Sequence, residues 1–370
     1  MNIDEHNETI KACRFCLMCR HACTVGNVTQ RDTNLPRGKS IVLFAEQKNL
    51  LSWDKRAIEV MYECTNCHLC REWCVSEYDV APVMMAARAD IVDMGLAPAE
   101  VVLMKDHLNK YGNPYGEAQS QLEEWEKSLQ KKPKADILLY FGCSTAFRRP
   151  EMAQSAYSIL KHLDADMTIL EDEPCCGEPY YILGYRNEAK NQAQRTLNRI
   201  RESGAHTVVT TCPTCTLSFR KSYEEWGVEV PKDIRFIHIS EFIAEEMEEG
   251  RLKLNGSLQS SVTFHDPCSL GRELGVYDAP RKVINAVQGV EFREMRLNRN
   301  FSPCCGNGGG VQATNINIAL GAGNNTGKVI LETGAQILVT ACPSCKQSLQ
   351  KHVPGMEVLD IAELIAKVLK

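Results

Sequence analysis

No run of apolar residues approaches the roughly 20 needed to cross a bilayer; the longest, such as Ile137 to Phe141, are the length of a strand. The opening Met1-Asn2-Ile3-Asp4-Glu5 lacks a basic stretch followed by an apolar one, so no secretory signal is read. The expected place is the cytoplasm, with the membrane reached only through a partner. No block of lysine or arginine is long enough for a nucleic-acid arm, and a net charge of -5 over 370 residues gives nucleic acid little to hold. A dinucleotide fingerprint is missing too. The glycine cluster Gly306-Asn307-Gly308-Gly309-Gly310 follows a cysteine pair instead of a strand and lacks the GxGxxG spacing, so no flavin is expected on this chain.

Cysteine is what the chain has in excess: 18 of them. A disulfide scaffold would need an oxidising compartment and a small, core-poor domain. With 370 residues, 44% hydrophobic content and 24% charged, the chain instead has enough apolar side chain for two or three ordinary cores, which favours metal ligation.

Near the amino terminus stand Cys13-x2-Cys16-x2-Cys19-x3-Cys23 and Cys64-x2-Cys67-x2-Cys70-x3-Cys74. Two residues between cysteines let successive thiolates curl around one cluster while the intervening N–H groups point at the sulfurs. One such run could be a zinc knuckle; two identical runs point to a pair of [4Fe–4S] clusters of bacterial ferredoxin type. In that pattern the fourth cysteine crosses over. Cys13, Cys16, Cys19 and Cys74 are therefore assigned to one cluster, and Cys64, Cys67, Cys70 and Cys23 to the other. Thr24 and Val75 replace the proline that usually follows, and 40 residues separate Cys23 from Cys64, too many for a compact ferredoxin. A helix capped by Ser52 and another starting near Pro82 are expected in a mostly helical module. His21 and His68 lie in the cluster loops and are either surface residues or hydrogen-bond donors to sulfur. Lys11, Arg14, Arg20 and Arg71 either offset cluster charge or are ordinary solvated side chains.

Turn residues at Tyr111-Gly112-Asn113-Pro114-Tyr115-Gly116 mark a boundary, and Leu122, Trp125 and Leu129 follow at helical spacing, which reads as packing. An internal repeat then sets the fold. Ile137 to Phe141 leads into Cys143, then a helix from about 149 to 163, Cys175-Cys176-Gly177, a helix around 187 to 203, and Thr207 to Thr210 delivering Cys212-Pro213-Thr214-Cys215. Val262 to Phe264 leads into Cys268, then a helix near 279 to 287, Cys304-Cys305-Gly306, a helix around 316 to 333, and Gln336 to Thr340 delivering Cys342-Pro343-Ser344-Cys345. Adjacent cysteines share no face in a helix or strand, so each pair needs a turn, which the following glycine permits. Strands alternating with helices imply parallel sheets covered on both faces. The expected class is α/β with an α-helical amino-terminal ferredoxin-like domain: 1–110 helical two-cluster domain, 111–134 linker, 135–255 first Cys-Cys-Gly unit, 256–370 second. Cys143, Cys212, Cys268 and Cys342 each fall just past a strand, where open α/β sheets bind ligands. Cys212 and Cys342 precede a helix-starting proline, whose free N–H groups favour thiolate.

These residues resemble the CCG-domain family: a cysteine, about 30 to 40 residues, Cys-Cys-Gly, a similar gap, then Cys-x-x-Cys. The gaps here are 31 and 34 in the first unit and 35 and 35 in the second. The fused form resembles the heterodisulfide reductase catalytic subunit and the iron–sulfur subunits of glycolate, lactate and anaerobic glycerol-3-phosphate dehydrogenases. Leu35-Pro36-Arg37-Gly38-Lys39, Gly112-Asn113-Pro114 and His265-Asp266-Pro267-Cys268 also look like family signatures. The resemblance implies two noncubane [4Fe–4S] clusters, one on Cys143, Cys175, Cys176, Cys212 and Cys215, the other on Cys268, Cys304, Cys305, Cys342 and Cys345. An ordinary four-cysteine cubane with one spare thiol in each unit is the alternative. It implies an iron–sulfur oxidoreductase subunit that moves electrons between an FAD-containing dehydrogenase partner and a further carrier or quinone-reducing component. The other reading is an enzyme cleaving or forming a disulfide directly at a CCG cluster. His265 and Asp266 are the candidate proton donors, with a cluster hydrogen bond or a turn cap as alternatives, and Glu178 is similarly placed. His238 and Asp360 fall at corresponding strand ends, where packing is expected.

Overall fold

The computed structural model describes residues 1–13 and 16–369, and Arg14 lies outside them. Short helices dominate up to residue 126, and two parallel sheets follow. β1 (Ile137–Tyr140), β2 (Met167–Thr168), β3 (Thr207–Thr210) and β4 (Arg235–His238) form the first sheet, in the order β2-β1-β3-β4. β5 (Ser257–His265), β6 (Gln288–Phe292), β7 (Ile337–Thr340) and β8 (Glu357–Asp360) form the second in the corresponding order, β6-β5-β7-β8. All pairings are parallel, and Leu138 and Tyr140 lie opposite Val208 and Thr210, while Thr263 and His265 lie opposite Leu338 and Thr340.

Strand alternation sends successive side chains to different cores. Leu138, Tyr140 and Val208 join a core with Tyr62, Met84 and Ile91 of the amino-terminal helices, so that region is welded to one face of the first sheet. Leu139, Phe141 and Val209 face a second core shared with Val262, Phe264 and Val339 of the other sheet. Leu122, Trp125 and Leu129, around the helix Ser120–Glu126, pack on the same core. The carboxyl ends of all the strands carrying cysteine are thereby held in one body.

Helix ends follow local chemistry. Asp54 rather than Ser52 caps the helix Lys55–Tyr62, accepting from the Ala57 N–H at 2.7 Å, because Asp54 is the residue directly before the first turn. The helix expected near Pro82 runs Val80–Asp93 under an Asp79 cap, which places the proline in its first turn. His238 and Asp360 are caps as well. The His238 Nδ1 accepts from Ser240 N–H and Asp360 Oδ1 from Ala362 N–H, each with a glutamate, Glu241 or Glu363, returning the bond. Burial pushes the His238 pKa down to about 3, keeping Nδ1 free as an acceptor.

Burial also pushes the Asp360 carboxyl from its ordinary 3.8 up to about 8. A folded-state pKa above the unfolded one means stability is lost as pH rises through that interval. Asp360→Asn keeps the capping oxygen and removes the charge. Its thermal midpoint is expected to exceed the parent's most above pH 8 and to converge with it near pH 4; a pH-independent difference would contradict this.

Candidate functional site

The second amino-terminal run and Cys23 form one group. Cys23 caps the helix Thr24–Thr29, its Sγ accepting the Gly26 N–H at 3.3 Å, and the charges of Cys64 and Cys67 act on it; burial pushes its thiol up to about 11. Cys70 is pushed up by burial and by Cys67, Cys23 and Cys64. Lys39 is buried with its ammonium directed at Asn34 O, 2.8 Å away, and in the field of Cys64 and Cys23. Gly38 beside it allows the approach, since a Cβ there would stand 1.9 Å from Asp32 O. Cys13 and Cys16 act on Cys19, with Cys16 exposed. Cys74 is half-buried and packs on the same core as Cys19. Trp73 beside it meets His21 edge-on and Phe301 at a tilt, at 4.5 and 4.8 Å between ring centres, so His21 is an aromatic contact.

In the first sheet's unit the five thiols run as a chain of contacts: Cys143 to Cys175, Cys175 to Cys176, Cys176 to Cys215 and Cys215 to Cys212. The second unit repeats the chain with Cys268, Cys304, Cys305, Cys345 and Cys342, Cys345 and Cys305 being 3.3 Å apart. Gly142 has φ +78, and a Cβ on it would meet Cys215 Sγ at 2.8 Å, so the strand end can only pass the thiols as glycine. Gly177 and Gly306 have φ of +88 and +92, which turns the chain after each pair. Among the described residues, no three His, Cys, Asp or Glu side chains converge as a site for a single metal ion.

Three successive backbone carbonyls at each cysteine pair are tied down by buried side chains. In the first unit Tyr140 OH donates to Pro174 O, Thr196 Oγ1 to Cys175 O at 2.9 Å and Tyr223 OH to Cys176 O at 2.7 Å. In the second His265 Nε2 donates to Pro303 O at 2.9 Å, Thr326 Oγ1 to Cys304 O at 2.7 Å and Ser348 Oγ to Cys305 O at 2.6 Å. Tyr140 and His265 stand three residues before Cys143 and Cys268, in corresponding places. Preorganisation of this kind holds sulfurs in place without a ligand.

Comparison with known proteins fits the arrangement. The cysteine-rich domain family (CCG) matches residues 137–220 and again 262–350, and the 4Fe-4S dicluster domain family matches residues 9–78. One subunit of the dihydromethanophenazine:CoB--CoM heterodisulfide reductase of Methanosarcina mazei is 31% identical over 323 residues, which cover 84% of this chain and 78% of that protein. The chain belongs to this heterodisulfide reductase family. One subunit of the fumarate reductase (CoM/CoB) of Methanothermobacter marburgensis is 29% identical over 314 residues, 83% of this chain and 61% of that one. A hypothetical protein from Helicobacter pylori shares the fold, with a TM-score of 0.53 at 9% identity over 100% of this chain and 76% of that one. This member of the heterodisulfide reductase family is thus an iron–sulfur oxidoreductase subunit, and no helix among its described residues is long and apolar enough to cross a membrane.

In this heterodisulfide reductase relative the two five-thiol groups open onto one cavity of 910 Å³, lined by Cys143, Cys176 and Cys212 from one side and Cys268, Cys305 and Cys342 from the other. The Cys345 thiol pulls the Cys342 pKa down, but burial and, after it, the charges of neighbours that include Cys212 across the cavity raise it overall. The expected depression at the helix start is found for Cys212, which accepts from Cys215 and the Thr214 N–H, but not for Cys342. The second group also meets the region matched by the 4Fe-4S dicluster family, because the thiols of Cys67 and Cys304 lie near enough to act on one another.

The glycine run after Cys305 has an unexpected use. Beyond clearing space for the sulfurs, it brings two backbones together: Cβ atoms on Gly308 and Gly309 would stand 2.4 Å from Thr65 O and 2.0 Å from Cys64 O. Arg88, 0% exposed, fastens the same junction, donating to Met61 O, Cys64 O, Ile182 O and Gly309 O at 2.7 to 3.0 Å. Nothing local in the sequence marks it, since its partners lie up to 221 residues away.

Asp266 is spoken for. Both its oxygens accept from Arg281, at 2.7 and 2.9 Å, and Oδ2 also takes the Arg299 N–H, so the geometry makes it a fastener and leaves no carboxyl free for proton transfer. His265 uses Nε2 on Pro303 O; burial lowers its pKa, and Nδ1 is buried without a partner. His68 donates to Asp79 at 2.7 Å and faces Glu273; burial opposes its charge, and the Asp79 carboxylate outweighs burial and raises the pKa. Arg71 is paired with Asp79 and Glu72, while Arg20 lies 3.9 Å from Asp32 and Lys11 pairs with Glu8 on the surface. Glu178 is buried against the cavity wall beside Cys176, holding the Ser218 hydroxyl at 3.1 Å, and burial pushes it up to about 8.

The donor set fits iron–sulfur clusters. Thiolates in so dry a place need opposite charge, and Lys39 and Arg272 are buried beside them, with Arg272 Nη2 left without a hydrogen-bond partner.

Proposed function

We propose that this chain takes electrons from a partner at its ferredoxin-type region and delivers them to a small disulfide held between the two Cys-Cys-Gly units. The observation that carries this reading is the single cavity onto which both five-thiol groups open. A small substrate lodged there can be reached from both units, which is what a disulfide divided between two centres needs.

In this reading residues 1–110 are the two-cluster domain, 111–134 the linker, and 135–255 and 256–370 two copies of one unit. The common strand order, the paired carbonyl ties and the paired helix caps at His238 and Asp360 support a duplication. The ligand sets follow the thiol groups: Cys13, Cys16, Cys19 and Cys74 for one cubane, Cys23, Cys64, Cys67 and Cys70 for the other. Cys143, Cys175, Cys176, Cys212 and Cys215 would hold one noncubane cluster, and Cys268, Cys304, Cys305, Cys342 and Cys345 the other. Clusters bound there supply one-electron steps, two of which with two protons turn RS–SR into two RSH.

The chain's own residues do the rest. The buried carbonyl ties hold each cysteine pair rigid, and the Glu178 carboxyl, facing the cavity, takes the proton-donor role that Asp266 is too well fastened to fill. A relay to an FAD-containing dehydrogenase partner is the second reading. In both readings the exposure of Cys16 opens the first thiol group to a docked protein.

The two part at the exit. If the anaerobically purified chain is reduced and then given the CoB–CoM heterodisulfide named for the Methanosarcina relatives, or 2-hydroxyethyl disulfide, its visible absorption is expected to return to the oxidised form with no partner present. Reoxidation only on adding a flavoprotein would reject the disulfide reading.

A further inference from the structure

We propose that Arg272 is a positioning residue that joins the Cys64–Cys70 loop to the second five-thiol group and sets the reduction midpoint of that group. This makes the second unit the one coupled to the ferredoxin-type region. It rests on the ligand assignment proposed above.

The geometry is specific. Arg272 follows Cys268 in a wide π-type turn and is only 8% exposed. Nε donates to Cys67 O at 2.6 Å, and Nη1 to Asn300 O at 3.0 Å and Ser302 O at 2.8 Å, so a single guanidinium grips the ferredoxin-type loop and the segment leading to Cys304. Its neighbour reinforces the grip, since Glu273 faces His68 Nε2 at 3.4 Å and Arg71 donates to Arg272 O at 3.2 Å.

One donor remains. Among the described residues Nη2 is buried with no hydrogen-bond partner, and the charges acting most strongly on Arg272 are the thiols of Cys67, Cys268 and Cys304, drawn from both groups. A buried cation in the field of these sulfurs favours the more negative, reduced state of whatever they hold. The corresponding position of the first unit, four residues after Cys143, is Phe147, which packs in the apolar core. The first unit therefore has no such bridge there, and the asymmetry identifies the second as the coupled one.

Arg272→Gln and Arg272→Lys in the full chain, purified without oxygen, test this by iron content and by midpoint titration followed by electron paramagnetic resonance. Arg272→Gln is expected to shift the oxidised-to-reduced ratio of the second unit's signal at least tenfold toward oxidised at a fixed potential, about 59 mV for one electron. Arg272→Lys, which keeps the charge, is expected to hold its iron and stay within about threefold of the parent, since a tenfold step is the scale of the full charge. Arg148→Gln, on the first unit's side of the cavity, is expected to leave that midpoint unmoved.

A fully loaded Arg272→Gln with the parent's midpoint would overturn the proposal. So would an Arg272→Lys that loses the second unit's iron or shifts as far as the glutamine variant, because the residue would then be structural. If the glutamine variant does not load, the lysine variant decides alone. Failure of the ligand assignment is read separately, as an unsubstituted chain short of iron.

Discussion

Arg88→Met is expected to lower the stability of the chain by on the order of 3–5 kcal/mol, the scale for removing a buried charge and stranding its partners. Four carbonyls depend on that guanidinium, and they come from three places: Met61 and Cys64 in and just past the helix Lys55–Tyr62, Ile182 beyond Cys176, and Gly309 beyond Cys305. Water cannot replace it, because the site is fully buried and the Arg88 fork also packs 5.1 Å from the Tyr62 ring. A methionine fills the volume and donates nothing. Gly309→Ala strikes the same junction from the other side, since its Cβ would enter Cys64 O and its φ is +62. Thermal melts of the anaerobically purified variants are the check. Both are expected to melt well below the parent and to lose the contact of Cys67 with Cys304; midpoints equal to the parent's would show that the junction is not a keystone.

Cys305→Ala is expected to remove one cluster whole, about four irons of about sixteen, by the four-iron formula of each centre. Cys305 is the middle of its chain of thiols, touching Cys304 on one side and Cys345 on the other. Without it, the thiols of Cys268 and Cys304 are cut off from those of Cys342 and Cys345. The first unit has its own ties at Tyr140, Thr196 and Tyr223, so its iron is expected to stay. Iron and sulfide assays with electron paramagnetic resonance separate loss of one signal from loss of several, and a Cys305→Ala chain with full iron would place the ligand elsewhere.

Much of this was legible because the cysteines announce themselves. Cysteine spacing is a local code, and the strands that deliver Cys143, Cys212 and Cys342 are short runs of apolar and β-branched residues, so their positions could be read directly. The short β2, at Met167–Thr168, and the half-exposed β6, at Gln288–Phe292, have no such run and leave no comparable signal. What holds the site was also hidden. Tyr140, Thr196, Tyr223, Thr326 and Ser348 read as ordinary strand and helix residues, and only the fold brings their hydroxyls to a cysteine-pair carbonyl. Arg88 and Arg272 reach partners up to 221 and 205 residues away, a separation that no periodicity carries. Asp266 shows the same limit: beside Cys268 an aspartate suggests proton transfer, while the bidentate Arg281 that fastens it is 15 residues on.

The central claim is that eighteen thiols form two four-ligand and two five-ligand groups around iron. Anaerobic purification with iron, sulfide and zinc assays on one sample tests it most directly. About sixteen irons with matching sulfide per chain are expected from four centres. About eight irons, with the Cys-Cys-Gly units empty, or a colourless chain carrying zinc, would contradict it.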